Sequence, residues 1–286
     1  MSDKDTLSRL GIEPKKSLGQ YFMAEPAALQ KLVDAARIEP GDAVLEIGPG
    51  LGALTDLLAE GARRLVAVEI DGRVIPYLQN RYEAFPNVEI VQADILDLDL
   101  GELLGSDAQS YKVVANLPYY ITSPILRRLL EGSAPPSLIV VTTQLEVARR
   151  MAAQPGEMSL LAVGIQFYGT PEIVSRLKPG VFYPRPGVES AIVRVTPHPG
   201  GSPLPADDGE RFFRVVRAGF GQPRKQLRNT LSAGLHVGRE AVAGWLEEAG
   251  VDPKRRAETL SVDEWLALYR IVDNHQPIRA KDHAAT

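Results

Sequence analysis

Short β-branched runs alternate with stretches of helical spacing, and this alternation restricts the possible folds more than any other feature of the chain. The runs are residues 43–47, 65–69, 88–92, 112–116 and 138–143. Strands separated by helices predict βαβ units and a mostly parallel sheet. A helix is expected from Ala53 to Gly61, which suits a C-cap, and Asp71 is placed as the N-cap of the next one. Residues 172–177 and 189–195 flank a Pro-rich stretch too short for a crossover helix, so the sheet should end in an antiparallel pair. The segment TPHPGGSPLPADDG, residues 196–209, can continue neither element and is read as the domain boundary. Beyond it, Val242, Trp245, Leu246 and Ala249, then Trp265, Leu266, Leu268, Tyr269 and Val272, recur at helical spacing. The expectation is an α/β domain over residues 1–200, a small helical domain over 207–273 and a frayed tail from Asp273.

The length of 286 residues, 44% of them hydrophobic, suffices for these two domains. The first twenty residues carry no apolar signal core, and no apolar run approaches the ~18 residues that span a bilayer, so a cytoplasmic protein is expected. The absence of cysteine excludes disulfides, thiolate zinc sites and any reaction that needs a thiol nucleophile, C5-pyrimidine methylation among them. His198, His236, His275 and His283 all lie in the last third without metal-ligand spacing. No metal is expected, and chemistry in the first domain must proceed without a histidine base. The net charge of −4 weighs against a nucleic-acid partner, but residues 211–231 carry Arg211, Arg214, Arg217, Arg224, Lys225 and Arg228 with no acid. Alone, such a run is as often a solvated helix face as a phosphate-binding patch.

The segment VLEIGPGLGALT, residues 44–55, sets a strand, a glycine turn and a helix in succession. Gly48, Gly50 and Gly52 let the backbone approach a ligand and leave helix N–H groups to donate to it. Gly48, Gly50 and Ala53 also satisfy G-x-G-x-x-G/A, with Glu69 where a dinucleotide fold places its ribose-binding acid. These residues leave NAD and S-adenosylmethionine both open. Glu46 would present an acid to the glycine loop, which suits a cationic amino-acid ligand better than a pyrophosphate. Asp94, in VQADIL, can accept from an adenine amine or simply close a strand-end turn. Together the acids favour the sulfonium cofactor.

Asn116-Leu117-Pro118-Tyr119-Tyr120 follows the fourth strand, and ligands of open α/β sheets bind outside the carboxyl ends of strands. An exocyclic adenine amine is a poor nucleophile because its lone pair is delocalised into the ring. If the Asn116 side-chain oxygen and the Leu117 carbonyl each accept one N–H, the nitrogen is drawn toward sp³ geometry and no strong base is needed. Tyr119 offers a stacking face, worth about 1–3 kcal/mol per base.

The ordered motifs KKSLGQYF, EIGPGLGALT, VAVEID, QADIL, VANLPYYITSPIL, VFYPRPGVESAIVRV, GFGQPRKQLRNTL and RAETLSVDEW span nearly the whole chain. In these the sequence resembles the bacterial small-subunit ribosomal RNA adenine dimethyltransferases. The resemblance implies a Rossmann-like class I methyltransferase fold and S-adenosylmethionine as cofactor. It implies the assembling small ribosomal subunit or its RNA as partner, and a monomer. It also implies that Gln20, Tyr21, Met23, Gly48, Gly50, Glu69, Asp94 and Asn116 line the cofactor pocket, with Glu46 beside them. Asn116, Leu117, Pro118 and Tyr119 would serve the reaction, and Phe182 would sandwich the adenine against Tyr119. Three departures stand out: Tyr21 where such proteins commonly have Asn or His, Leu145 in place of Lys, and Glu157-Met158 in place of Tyr-Gly. The rival readings are a large-subunit methyltransferase of the macrolide-resistance class, a non-catalytic ribosome-assembly factor, and a dehydrogenase. The last leaves NLPYY and the basic segment without a role.

Overall fold

The structure, a computed structural model, describes residues 3–15 and 19–275. Lys16, Ser17 and Leu18 of the KKSLGQYF motif, and the tail past His275, lie outside the described residues. After α1 (Asp3–Leu10), β1 (Phe22–Met23) and α2 (Pro26–Ala36), the alternation begins. It runs β2 (Ala43–Ile47), α3 (Ala53–Gly61), β3 (Arg64–Glu69), α4 (Ile75–Tyr82), β4 (Val88–Gln92), α5 (Leu100–Leu104), β5 (Tyr111–Asn116), α6 (Thr122–Glu131) and β6 (Leu138–Gln144). Then come α7 (Leu145–Met151), α8 (Leu160–Gln166), β7 (Gly169–Leu177), β8 (Phe182–Tyr183) and β9 (Ser190–Pro197). The chain continues with α9 (Ala206–Phe220), α10 (Leu227–Leu235), α11 (Arg239–Glu248) and α12 (Val262–His275).

Seven strands form one sheet in the order β4-β3-β2-β5-β6-β9-β7. The pairings from β4 through β6 are parallel, and β9 runs antiparallel to both β6 and β7. The expected antiparallel pair is therefore present, with one of its strands also closing onto the parallel set. Every residue of β2 is buried, as a strand covered on both faces requires, and this explains its unbroken apolar run around Glu46. Strand order reverses direction between β2 and β5, so the crevice for a ligand opens at their carboxyl ends. Asp71 does not cap α4. The helix begins only at Ile75, and the Asp71 carboxylate instead accepts from the backbone N–H and guanidinium of Arg73.

The chain divides into two compact units. One holds residues 1–149 and 169–197, and the other takes 150–168 together with everything from His198 on. The single expected boundary over residues 196–209 thus misses a segment, because α8 belongs with the later helices. The reason is apolar: Ala162, Val163 and Phe167 share a core with Phe212, Phe213, Leu231, Trp265 and Tyr269. The rings of Phe167 and Phe212 stack with centroids 4.6 Å apart. In the first unit the core gathers α2, α3 and the sheet around Leu32, Leu58, Val44 and Val114. A smaller cluster joins Leu7 and Ile12 to Phe22, Leu51, Leu78 and Tyr82, which fixes the N-terminal segment beside the glycine loop. No helix among the described residues is long and apolar enough to cross a membrane.

Candidate active site

The turn from β2 into α3 holds Gly48, Gly50 and Gly52 at φ of 73°, 58° and 87°, a region that side chains rarely enter. Space is short as well, since a Cβ on Gly50 would lie 3.0 Å from the Phe22 ring and one on Gly52 would collide with the Tyr82 hydroxyl. That hydroxyl donates to the Gly52 carbonyl at 2.8 Å and so braces the turn from behind. The Gly50 N–H is already committed, donating to Glu69 at 3.1 Å. The other Glu69 oxygen accepts from the Asp71 N–H at 2.9 Å. The acid at the end of β3 therefore stands ready-oriented, each oxygen keeping a further lone pair.

A cavity opens over this loop, lined by Gln20, Tyr21, Met23, Glu46, Gly48, Gly50, Glu69, Asp94 and Asn116, all of which the sequence nominated for the cofactor. Leu117 and Pro118 join them. Asp94 keeps one oxygen on the Leu96 N–H at 2.9 Å and faces the cavity from the end of β4. Among the described residues, three carboxyl groups and no lysine, arginine or histidine line this space, a poor setting for a pyrophosphate. That lining weighs against the dinucleotide reading.

Glu46 decides what kind of ligand fits. It is 1% exposed, and neither carboxylate oxygen has a hydrogen-bond partner among the described residues. Burial pushes its pKa up to about 8, with Glu69 and Asp56 adding repulsion, while the Thr55 hydroxyl is close enough to temper the rise without forming a hydrogen bond. A buried acid left in this state matches a ligand that brings its own positive charge. S-adenosylmethionine, with its ammonium and sulfonium, is such a ligand. Glu69 is likewise pushed upward by burial, against the lowering effect of its backbone donors.

Asn116 ends β5 with its amide held on two sides. Nδ2 donates to the Tyr21 carbonyl at 2.7 Å, and Oδ1 accepts from the Thr142 hydroxyl at 2.5 Å. The aromatic residues are placed differently from the sandwich that the resemblance implies. Tyr119 bonds its hydroxyl to Ser190 at 2.6 Å and stacks on Tyr21, ring centroids 5.3 Å apart. Phe182 is 5% exposed in the core, opposite Met23 in the β1–β8 pair. Neither Tyr119 nor Phe182 lines the cavity, because the Tyr21 ring covers the first and the β1–β8 pairing turns the second inward.

Sequence reasoning missed several lining groups. Ile70, half-exposed, and Ile95 each follow a strand-end acid and give the cavity apolar walls, so an apolar residue after such an acid was the available signal. Tyr120 is 59% exposed at the mouth. Thr142 and Ser190, which hold Asn116 and Tyr119, lie 26 and 71 residues from their partners and leave no local signal.

The basic segment is split in its roles. Arg211 is paired with Asp208 and Asp273 within its own unit. Arg217, Arg224 and Lys225 are exposed and have no acidic partner among the described residues, and Arg228 is half-buried with an unbonded Nε. Gly219 lies inside α9, where a Cβ would collide with the Trp265 ring. The loop itself begins at Gly221.

Residues 12–274 match the family model described as ribosomal RNA adenine dimethylase. A protein of Dehalococcoides mccartyi named ribosomal RNA small subunit methyltransferase A is 44% identical over 265 residues, covering 93% of this chain and 90% of that protein. Its namesake from Pelotomaculum thermopropionicum is 44% identical over 276 residues, covering 93% of each. Among solved structures, the 23S rRNA methyltransferase ErmE superposes with a TM-score of 0.71 at 29% identity, over 88% of this chain and 99% of that one. A dimethyladenosine transferase from Plasmodium falciparum gives 0.75 at 23% identity over 88% and 98%, a likeness of fold. With a cavity suited to a cationic ligand and a family match over residues 12–274, this protein belongs to the ribosomal RNA adenine dimethylase family of S-adenosylmethionine-dependent methyltransferases.

Proposed function

We propose that this chain dimethylates N6 of adenosines in small-subunit ribosomal RNA, acting as a cytoplasmic monomer on the assembling small subunit. The observation that carries the reading is the Asn116 amide, fixed at the rim of an acidic cavity that suits a sulfonium ligand. S-adenosylmethionine supplies an electrophilic methyl group. Glu46 would pair with its ammonium group, Glu69 would hold the ribose hydroxyls through its remaining lone pairs, and Asp94 would accept from the adenine amine. On the acceptor side, Asn116 Oδ1 and the Leu117 carbonyl would each take one N–H of the target, aiming its lone pair at the methyl. No side chain need act as a strong base, since the methylated amine can lose its proton to water. Tyr119, pinned by Ser190, would present a stacking face once the Tyr21 ring swings aside.

The C-terminal unit would recognise RNA through Arg217, Arg224, Lys225 and Arg228, whose charges are not spent on acids of the described chain. The likeness to the 23S enzyme ErmE keeps a large-subunit substrate as the second reading. Relatives above 40% identity that bear the small-subunit name favour the first. Transfer of radiolabelled methyl groups to purified small subunits, large subunits and naked RNA, followed by nucleoside analysis, tests both. Dimethyladenosine formed on small subunits alone is the expected result, and labelling of large subunits alone would overturn it.

A further inference from the structure

The Asn116 amide has its sense fixed as well as its plane. The Tyr21 carbonyl can only accept, so Nδ2 must be the atom facing it at 2.7 Å. Oδ1 therefore points away from Tyr21, toward Thr142, whose hydroxyl donates to it at 2.5 Å. Thr142 stands directly opposite Asn116 in the β5–β6 register and is fully buried, with no solvent to offer its hydroxyl another partner. A β-branched side chain in a strand has little freedom about χ1, so the direction of that donor is set by the backbone. An amide oxygen has two acceptor sites. With one occupied by Thr142, a single site remains on the residue that lines the cavity.

We propose that Thr142 is a positioning residue for methyl transfer: its hydroxyl holds the Asn116 amide in the one orientation that leaves a single acceptor site for an amine N–H. The proposal rests on the reading of Asn116 as the amine acceptor. Without the hydroxyl, the amide keeps one tether, through Nδ2, and can tilt about it. The Tyr21 carbonyl lies on the same segment as Gln20 and Met23, so the part of the chain that walls the cofactor cavity also supplies the second tether. Thr142 belongs to the sheet and holds the amide whether or not that segment is in place.

The experiment uses the full chain with four variants: Thr142→Val, Thr142→Ser, Asn116→Ala, and Asn116→Ala combined with Thr142→Val. Turnover, KM for each substrate, cofactor affinity and Tm are measured on one set of preparations. Valine keeps the shape and removes the donor. It should lower kcat on the order of 10- to 100-fold, the range a small misplacement of a reacting group costs. Cofactor affinity and Tm should stay at their wild-type values, and Thr142→Ser should restore most of the rate. Because Thr142 acts through Asn116, adding Thr142→Val to Asn116→Ala should cause no further loss. Wild-type kcat in Thr142→Val beside a crippled Asn116→Ala overturns the proposal alone. So does an equal extra loss in the double variant, or a fall in kcat and Tm together that serine does not reverse. Wild-type turnover by Asn116→Ala overturns the acceptor reading, and the proposal with it.

Discussion

Glu46 is an acid that burial keeps protonated until a cation arrives. With its pKa pushed up to about 8, it folds neutral at physiological pH and ionises once a cation is beside it. Binding should therefore release a proton, and cofactor affinity should weaken as pH falls from about 8 toward 6. Calorimetry in buffers of differing ionisation enthalpy would measure both. The sign for stability runs the other way. An acid whose folded pKa exceeds its unfolded value contributes stability that is complete below the ordinary carboxylate range and is lost as pH rises through about 8. Glu46→Gln should accordingly raise Tm of the ligand-free protein at pH 8.5 and remove that slope while weakening cofactor binding at least tenfold. A variant with unchanged affinity would show that Glu46 meets no ligand. At the same scale, Asn116→Ala should cost roughly 10²–10³ in kcat, as loss of one preorganised acceptor does, with Tm little changed. Single-turnover methyl transfer would read this directly.

At the scale of elements, the helices of the C-terminal unit approach one another through bare backbone. Gly219 in α9 faces the Trp265 ring of α12, and a Cβ on Gly234 in α10 would fall 2.6 Å from that of Ala218. Gly219→Ala should destabilise this unit by about 1–3 kcal/mol, the usual cost of overpacking, although alanine is the better helix former. Denaturant unfolding would measure it, and a neutral or stabilising result would mean the helices separate easily. The loop that follows α9, together with the first turn of α10, carries the RNA prediction. Replacing Arg224, Lys225 and Arg228 with alanine should weaken binding to small subunits and flatten its salt dependence by roughly 0.7–0.9 log units for each phosphate no longer neutralised. Cofactor affinity should not move. An unaltered salt slope in a stable triple variant would remove these residues from the interface.

For the whole molecule, legibility followed the range of the interactions concerned. The parallel strands were plain because β2 is wholly buried and β3 and β5 largely so, which makes them mostly apolar, and the glycine loop because positive φ demands glycine. Nine cofactor-site nominations line one cavity because each follows a strand end or sits in a named motif. What stayed hidden depends on distant partners. The membership of α8 in the C-terminal unit is decided by Phe167 meeting Phe212. Asp71 reads as a helix cap but is taken by Arg73 and by the Gln20 amide, which donates to it at 2.8 Å. The placement of Tyr119 depends on Tyr21 and Ser190, from segments far along the chain.

The ring that closes on Gly219 has a further consequence. The chain contains two tryptophans, Trp245 and Trp265, and both belong to the C-terminal unit. Emission excited at the red edge of the protein band therefore reports that unit alone, whereas the tyrosines of the cofactor cavity respond only at shorter wavelengths. If the units melt at different temperatures, the two signals will part company in a single untagged sample. The red-edge signal is thus a built-in thermometer for the helices that would grip RNA, read against a tyrosine signal drawn mostly from the unit of the sheet.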